Sequence, residues 1–202
     1  MTITLNRGMA QYGGELYMGT ITILQSVMQL IVLPLQGLTQ GGQPIISYNF
    51  GAGNIDRVKK AFKLQTVCCV VYAGVIWLLA EIIPSVFVGV FTGDPALAEL
   101  SRWALRVYLG TVVLMGLQVS CQQTFIAFGN AKTSGFLAIF RKILVLIPLI
   151  YLLPMLLEDK VFAVFLAEPV ADFIAVSMTV TLFYREYRAL TASRLSAAGK
   201  HR

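Results

Sequence analysis

The chain has 202 residues, 57% of them hydrophobic and only 13% charged, with a mean hydropathy of +0.74. Soluble domains carry about 25% charged residues, so an ordinary soluble fold is excluded and an integral membrane protein is expected. A net charge of +6 raises nucleic acid as a partner, but that requires a basic face on a soluble fold. Here the basic residues collect at the ends of apolar stretches, and no nucleic-acid partner is expected.

Residues 1–15, MTITLNRGMAQYGGE, are too polar and glycine-rich to span a bilayer, and they lack the continuous apolar run of a cleavable signal peptide. No charge occurs between Glu15 and Asp56, and the first span is placed at about 16–46. It contains Pro34 and Gly37 and is long for one crossing, so tilt or a kink is expected. The stretch Gly37 to Lys60, GLTQGGQPIISYNFGAGNIDRVKK, is expected to carry a polar, glycine-rich turn where this span ends and the next begins. Gly37, Gly41, Gly42, Gly51 and Gly53 suit close helix approach and tight turns, and Pro44 limits helix continuity.

The second span is expected at about 64–91, with Glu81 and Pro84 inside it. The third covers about 103–128, the fourth about 136–157 and the fifth about 161–184, followed by a basic tail over 185–202. All are predicted helical, because backbone groups in lipid must be satisfied within the segment. Arg57, Lys59, Lys60 and Lys63 follow span one, Lys132 follows span three, and Arg185, Arg188, Arg194, Lys200 and Arg202 follow span five. The other side holds Asp94 and Glu99 in one loop, and Glu158, Asp159 and Lys160 in another. Lysine and arginine mark the cytoplasmic side, so the C-terminus is expected inside and residues 1–15 outside. Trp103 at the outer edge, and Tyr184 with Tyr187 at the inner edge, fit interfacial belts.

Gln36, Gln40 and Gln43 place amides near a helix end, able to bond a ligand or to join helices. Met115, Gln118 and Gln122 share a helical stripe on span three. That stripe suits either packing or an adaptable ligand-binding wall. The lysines and arginine after span one read as topology and lipid-headgroup contacts. The glycines lack the spacing and lysine–serine pair of a phosphate loop. Cys68, Cys69 and Cys121 read as small buried hydrophobes. The one histidine, His201, is in the tail, so no zinc site, histidine dyad or enzyme is expected.

Ionisable residues at membrane depth face a bundle interior or a wet cavity. At 1.5 Å per residue, Asp172 lies roughly 16 Å from one surface, while Arg141 and Lys142 lie roughly 10 to 12 Å from the other. In a core about 30 Å thick these heights nearly coincide, so Asp172 is expected to pair with Arg141 or Lys142. By the same rise Glu168, roughly 10 Å deep, is placed to meet Arg106. Such pairs are either fixed structural bonds or sites where a carboxylate takes up and releases a proton or cation. Glu168 and Asp172, four apart on one helical face with Pro169 between them, are the ion-coupling candidates together with Arg141. Glu81 is expected to be interfacial.

The run GLTQGGQPIISYNFGAGNIDRVKKAFK resembles the multidrug and toxic compound extrusion (MATE) transporters, in particular their bacterial multidrug-export branch. NRGMAQYGGE, FTGDPALAELSRWALRVY, QTFIAFGNAKTSG, RKILVLIPLIYLLP and EPVAD follow in family order. The resemblance implies an all-α fold in which the five spans match helices eight to twelve of a twelve-helix, two-lobe transporter, and residues 1–15 match the end of helix seven. The chain would then be a C-terminal lobe without most of its first helix and without the N-terminal lobe. The resemblance further implies secondary active efflux of amphipathic, often cationic drugs or toxins in the bacterial plasma membrane. Exchange would be for protons or sodium, with no other cofactor and no bound structural metal. An N-terminal lobe and the lipid bilayer would be its partners. Two alternatives stand beside this: a lipid-linked precursor flippase of the same superfamily, and an inert truncated product or half-transporter that requires a separate N-lobe.

Overall fold

The computed structural model describes residues 15–199, with side chains described for 15–130 and 132–188. Residues 1–14, expected to match the end of helix seven, and the last three of the tail lie outside the described residues. Every regular element among the described residues is helical.

Helix α1 (Glu15–Gly51) is 37 residues long, about 55 Å at 1.5 Å per residue, and exceeds the hydrocarbon core. It runs unbroken through Gly41, Gly42 and Pro44 to Gly51, past the expected end of the first span at 46. A proline inside a membrane helix is tolerated because neighbouring groups re-satisfy the freed carbonyl. The turn expected within 37–60 falls after Gly51. Gly53 adopts φ +76°, and the Asn54 N–H donates to the Asn49 carbonyl at 2.9 Å. This is a Schellman ending, which needs the left-handed conformation that glycine takes without penalty.

Helix α2 (Ile55–Ile82) ends earlier than the expected second span. Pro84 forces the residue before it out of the helical region, and Ile83 sits at φ −129°. A short helix α3 (Pro84–Gly89) follows. Helix α4 (Pro95–Tyr108) opens on Asp94, whose side chain accepts from the Ala96 N–H, with Pro95 at its first position. After Leu109–Thr111 comes α5 (Val112–Ala127), bent by 53° from α4. The expected third span is therefore a broken helix.

Asn130 caps α6 (Ala131–Ile139) by accepting from the Thr133 N–H. A π-helical segment, Phe140–Leu146, joins α6 to α7 (Ile147–Leu156). Residues 132–156 together are long and apolar enough to cross a membrane. Helix α8 (Lys160–Gly199) starts on Asp159, which accepts from the Val161 and Phe162 N–H groups. It continues through the stretch expected to be a tail. Among the described residues four helices have the length and composition of a span, five when the α4–α5 pair counts as one, and the chain is a multi-pass membrane protein.

Helix α5 lies at the centre, packed against α1, α2 and α8. Gly116 makes its contact with α2 possible: a Cβ there would lie 2.7 Å from the Cys69 carbonyl oxygen. Close backbone approach at small residues is how helices associate in lipid. The main core joins Leu24, Val27 and Ile31 of α1 to Leu105, Leu146, Ile150 and Phe165. At the basic end, Phe62, Phe125, Phe128, Phe183 and Tyr187 form an aromatic cluster with ring centroids 4.8 to 6.5 Å apart. On α2 the stripe Leu64, Val67, Val71, Val75, Leu78 and Ile82 is exposed, a face suited to lipid rather than water. Cys69 and Cys121 are buried, but Cys68 is exposed on α2, so the expectation of three buried cysteines holds for two.

Candidate functional site

Side chains of α1, α5, α8 and the Arg141 segment line a partly open cavity of about 510 Å³, within the size range of small-molecule sites. One wall is α1, which contributes Gln25, Met28, Gln29, Val32 and Gln36. Helix α5 contributes Met115, Gln118, Val119 and Gln122, and Tyr108, Arg141, Lys142 and Glu168 complete the lining with Ala138. Each contributor follows from helix geometry. On α1, residues 25, 29, 32 and 36 recur every three or four positions and so share a face, as do 115, 118, 119 and 122 on α5. The walls are amide, methionine and valine, a surface that can bond polar groups and mould itself to apolar ones.

Beneath the cavity Arg141 joins both acids of α8. Its Nε donates to Asp172 Oδ1 at 2.5 Å, its Nη2 also pairs with that oxygen, and Nη2 donates to Glu168 Oε1 at 3.4 Å. Asp172 is 1% exposed and Glu168 6%. Glu168 and Asp172 lie one helical turn apart, which lets one guanidinium reach both. The Arg141 end of the bond comes from the π-helical segment, and π turns recur at functional sites. The pairing is incomplete. Glu168 Oε2 and Gln118 Oε1 are buried without a hydrogen-bond partner, while the Thr111 hydroxyl in the α4–α5 break lies beside the Asp172 carboxylate. Buried oxygens left without donors at membrane depth are costly. Two acceptors on one cavity, Glu168 Oε2 and Gln118 Oε1, therefore form a site receptive to a donor: a water, a protonated amine or a cation.

The depth argument places Asp172 against Arg141 or Lys142, and Arg141 is the partner. The expected Glu168–Arg106 contact is corrected. Arg106 instead pairs with Glu81 Oε2 at 3.7 Å and donates to the Glu81 carbonyl at 3.4 Å, in an exposed position. Arg106 sits on α4, before the bend, so its side chain reaches α2 rather than α8. Of the candidate wall residues, Gln36, Met115, Gln118 and Gln122 line the cavity. Gln40 is exposed, Gln43 is half-buried, and neither lines it. They lie one and two turns beyond Gln36, outside the cavity's height. Gln25, Gln29, Tyr108 and Lys142 are wall residues that sequence reasoning missed. The signal for the first two is present, since Gln25, Gln29 and Gln36 share one helical face. No group of three metal-ligating side chains occurs among the described residues.

Two multidrug export proteins named MepA are similar to the chain. That of Staphylococcus haemolyticus is 26% identical over 89% of this chain and 40% of its own length. That of Staphylococcus aureus is 26% identical over 96% of this chain and 42% of its own. The chain thus spans about two-fifths of the length of the curated relatives it matches. Among solved structures, the inward-facing conformation of a multidrug resistance MATE family transporter of the MOP superfamily shares the fold. Its TM-score is 0.87 at 16% identity, over 94% of this chain and 44% of that one. The MATE multidrug transporter DinF-BH aligns with a TM-score of 0.75 at 27% identity, over 91% of this chain and 40% of that one. The MatE family model matches residues 1–152, and the chain belongs to the MATE transporter family.

Proposed function

We propose that this chain supplies one lobe of a secondary active multidrug exporter in the bacterial plasma membrane, with its C-terminus in the cytoplasm. The observation that carries the reading is the cavity itself, where amides and methionines from α1 and α5 stand over an arginine shared by two buried carboxylates. Amphipathic, often cationic compounds are held between the walls. Glu168 and Asp172 exchange a proton or sodium ion as the cavity changes access, since a carboxylate in a wet site binds and releases a cation with its surroundings. Alternating access requires a second lobe to rock against, so an N-terminal lobe is the expected partner, with the bilayer covering the α2 stripe.

The test is drug efflux in a pump-deficient bacterium expressing this chain alone, beside the same chain coexpressed with a family N-lobe plus helix seven. Export only with the added half establishes a split transporter. Export by neither, with both halves in the membrane, rejects the transport reading and leaves an inert relative.

A further inference from the structure

The two acids bonded to Arg141 stand in different surroundings. Asp172 is 1% exposed and is not among the residues that line the cavity. Arg141 holds it through both Nε and Nη2, and the buried Thr111 hydroxyl of the α4–α5 break lies beside it. Glu168 lines the cavity and takes one contact from Arg141, at 3.4 Å on Oε1. Its Oε2 is buried without a partner. The ionisable neighbours of Glu168 are Arg141 and Lys142 from the π-helical segment, Asp172 from its own helix and Tyr108 from α4. The lining residues of α1 and α5 are uncharged. Two charge-assisted bonds fix the guanidinium on Asp172, and parting them would leave a buried cation uncompensated. A single contact at 3.4 Å gives way more easily.

We propose that the two carboxylates divide the work, with Glu168 alone exchanging the proton or sodium ion and Asp172 holding Arg141 as a positioning residue. This rests on the reading of the pair as an ion-exchange site and narrows it to one of the two acids. Asp172 stays bonded throughout, so the guanidinium never turns fully onto Glu168 and Oε2 remains available. Exchange of a proton makes or breaks only the Oε2–H bond, the proton coming from solvent or returning to it. When protonated, Glu168 becomes a donor. Gln118 Oε1, buried without a partner on the same cavity, is an acceptor for it.

Dicyclohexylcarbodiimide, a lipid-soluble reagent that adds to protonated carboxyl groups, reads which acid exchanges. The full chain in phosphatidylcholine nanodiscs is treated across a pH series and digested, and the modified residues are located by mass spectrometry. Modification is expected at Glu168 and lost in E168Q, with Asp172 unmodified in both. D172N releases Arg141 to bond Glu168 more fully. It is expected to lower the Glu168 yield at fixed pH by about tenfold, the contribution of one charge-assisted bond. Loosened packing alone would leave that yield unchanged or raise it by opening the site. Modification at Asp172, or a Glu168 yield in D172N equal to or above the wild type, overturns the division of roles while leaving the pair an exchange site. Modification of neither acid at any pH overturns the exchange reading as well. Repeating the reaction at constant pH in sodium chloride or choline chloride separates the two ions. Protection by the sodium salt alone assigns a metal ion to Glu168, and equal yields assign a proton.

Discussion

The Arg141 guanidinium holds Asp172 through both Nε and Nη2, fastening the π-helical turn of one span to the middle of the next. With its third contact, to Glu168, it joins two carboxylates to one guanidinium. Removing it leaves both acids buried and uncompensated. Breaking a buried pair from one side costs about 3–5 kcal/mol, whereas replacing the whole set with apolar groups of similar volume is often neutral. R141M is therefore expected to lower the unfolding midpoint in detergent sharply, and R141M/E168Q/D172N to recover most of the loss. A triple variant no more stable than R141M would show that the three residues do not act as one unit.

Gly116 and Gly74 make a matched comparison. A Cβ at Gly116 meets the Cys69 carbonyl oxygen and carbon and the Ala73 Cβ, all within 3.1 Å, while a Cβ at Gly74 meets nothing within 4 Å. G116A must push α2 away from α5, and overpacking of this kind costs about 1–3 kcal/mol. G74A is expected to be neutral or stabilising by up to about 1 kcal/mol, since alanine favours the helix. Thermal denaturation of the two variants, read side by side, checks the packing of these helices.

Asn130 works in two directions at the basic end. Its Oδ1 accepts from the Thr133 N–H to cap α6, and its Nδ2 donates to Glu186 Oε1 of α8. Loss of an asparagine cap costs about 1 kcal/mol, and residues sharing a bond couple by about 0.5–3 kcal/mol. N130A and E186A should each destabilise, and their double variant should cost less than the sum. Strict additivity in a double-mutant cycle would remove the bond.

The cysteines report which faces meet lipid. Cys68 is exposed on the apolar flank of α2, while its neighbour Cys69 is buried at 0% and Cys121 at 2%. In native membranes a lipid-soluble maleimide is expected to label Cys68 alone, and a charged, membrane-impermeant one to label none of the three. Labelling of C68S by the lipid-soluble reagent would place α2 differently.

Much of this arrangement is legible in the residues. Apolar runs separated by charged clusters give the spans, and simple rise per residue brings Asp172 level with Arg141 from opposite surfaces. The same arithmetic misassigns Glu168 because it treats spans as straight rods. The 53° bend between α4 and α5 has only Gly110 to announce it, and that glycine is indistinguishable by sequence from the packing glycine at 116. Gly41, Gly42 and Pro44 have the composition of a turn, and yet α1 continues through them. In lipid an interrupted helix exposes backbone groups with no water to receive them, so local breaking tendencies lose. Gln25 and Gln29 carry no local mark, lying within a span rather than near its end. Their informative property is the face they share with Gln36.

The π-helical stretch at Phe140–Leu146 amounts to a stored insertion. Bonding from i to i+5 accommodates a residue for which an α-helix has no place. The α-helical halves on either side are thus out of phase by about 100°, the angle one residue subtends at 3.6 per turn. Phe136 and Ile139 face outward before it, and Tyr151, Leu152 and Met155 after it, each set by its own frame. What is inherited here is a length as much as a set of side chains. A single-codon deletion within the stretch would retain Glu168 and Asp172 untouched, yet it would bring the two halves back into phase and turn Arg141 or the α7 core out of register with α8.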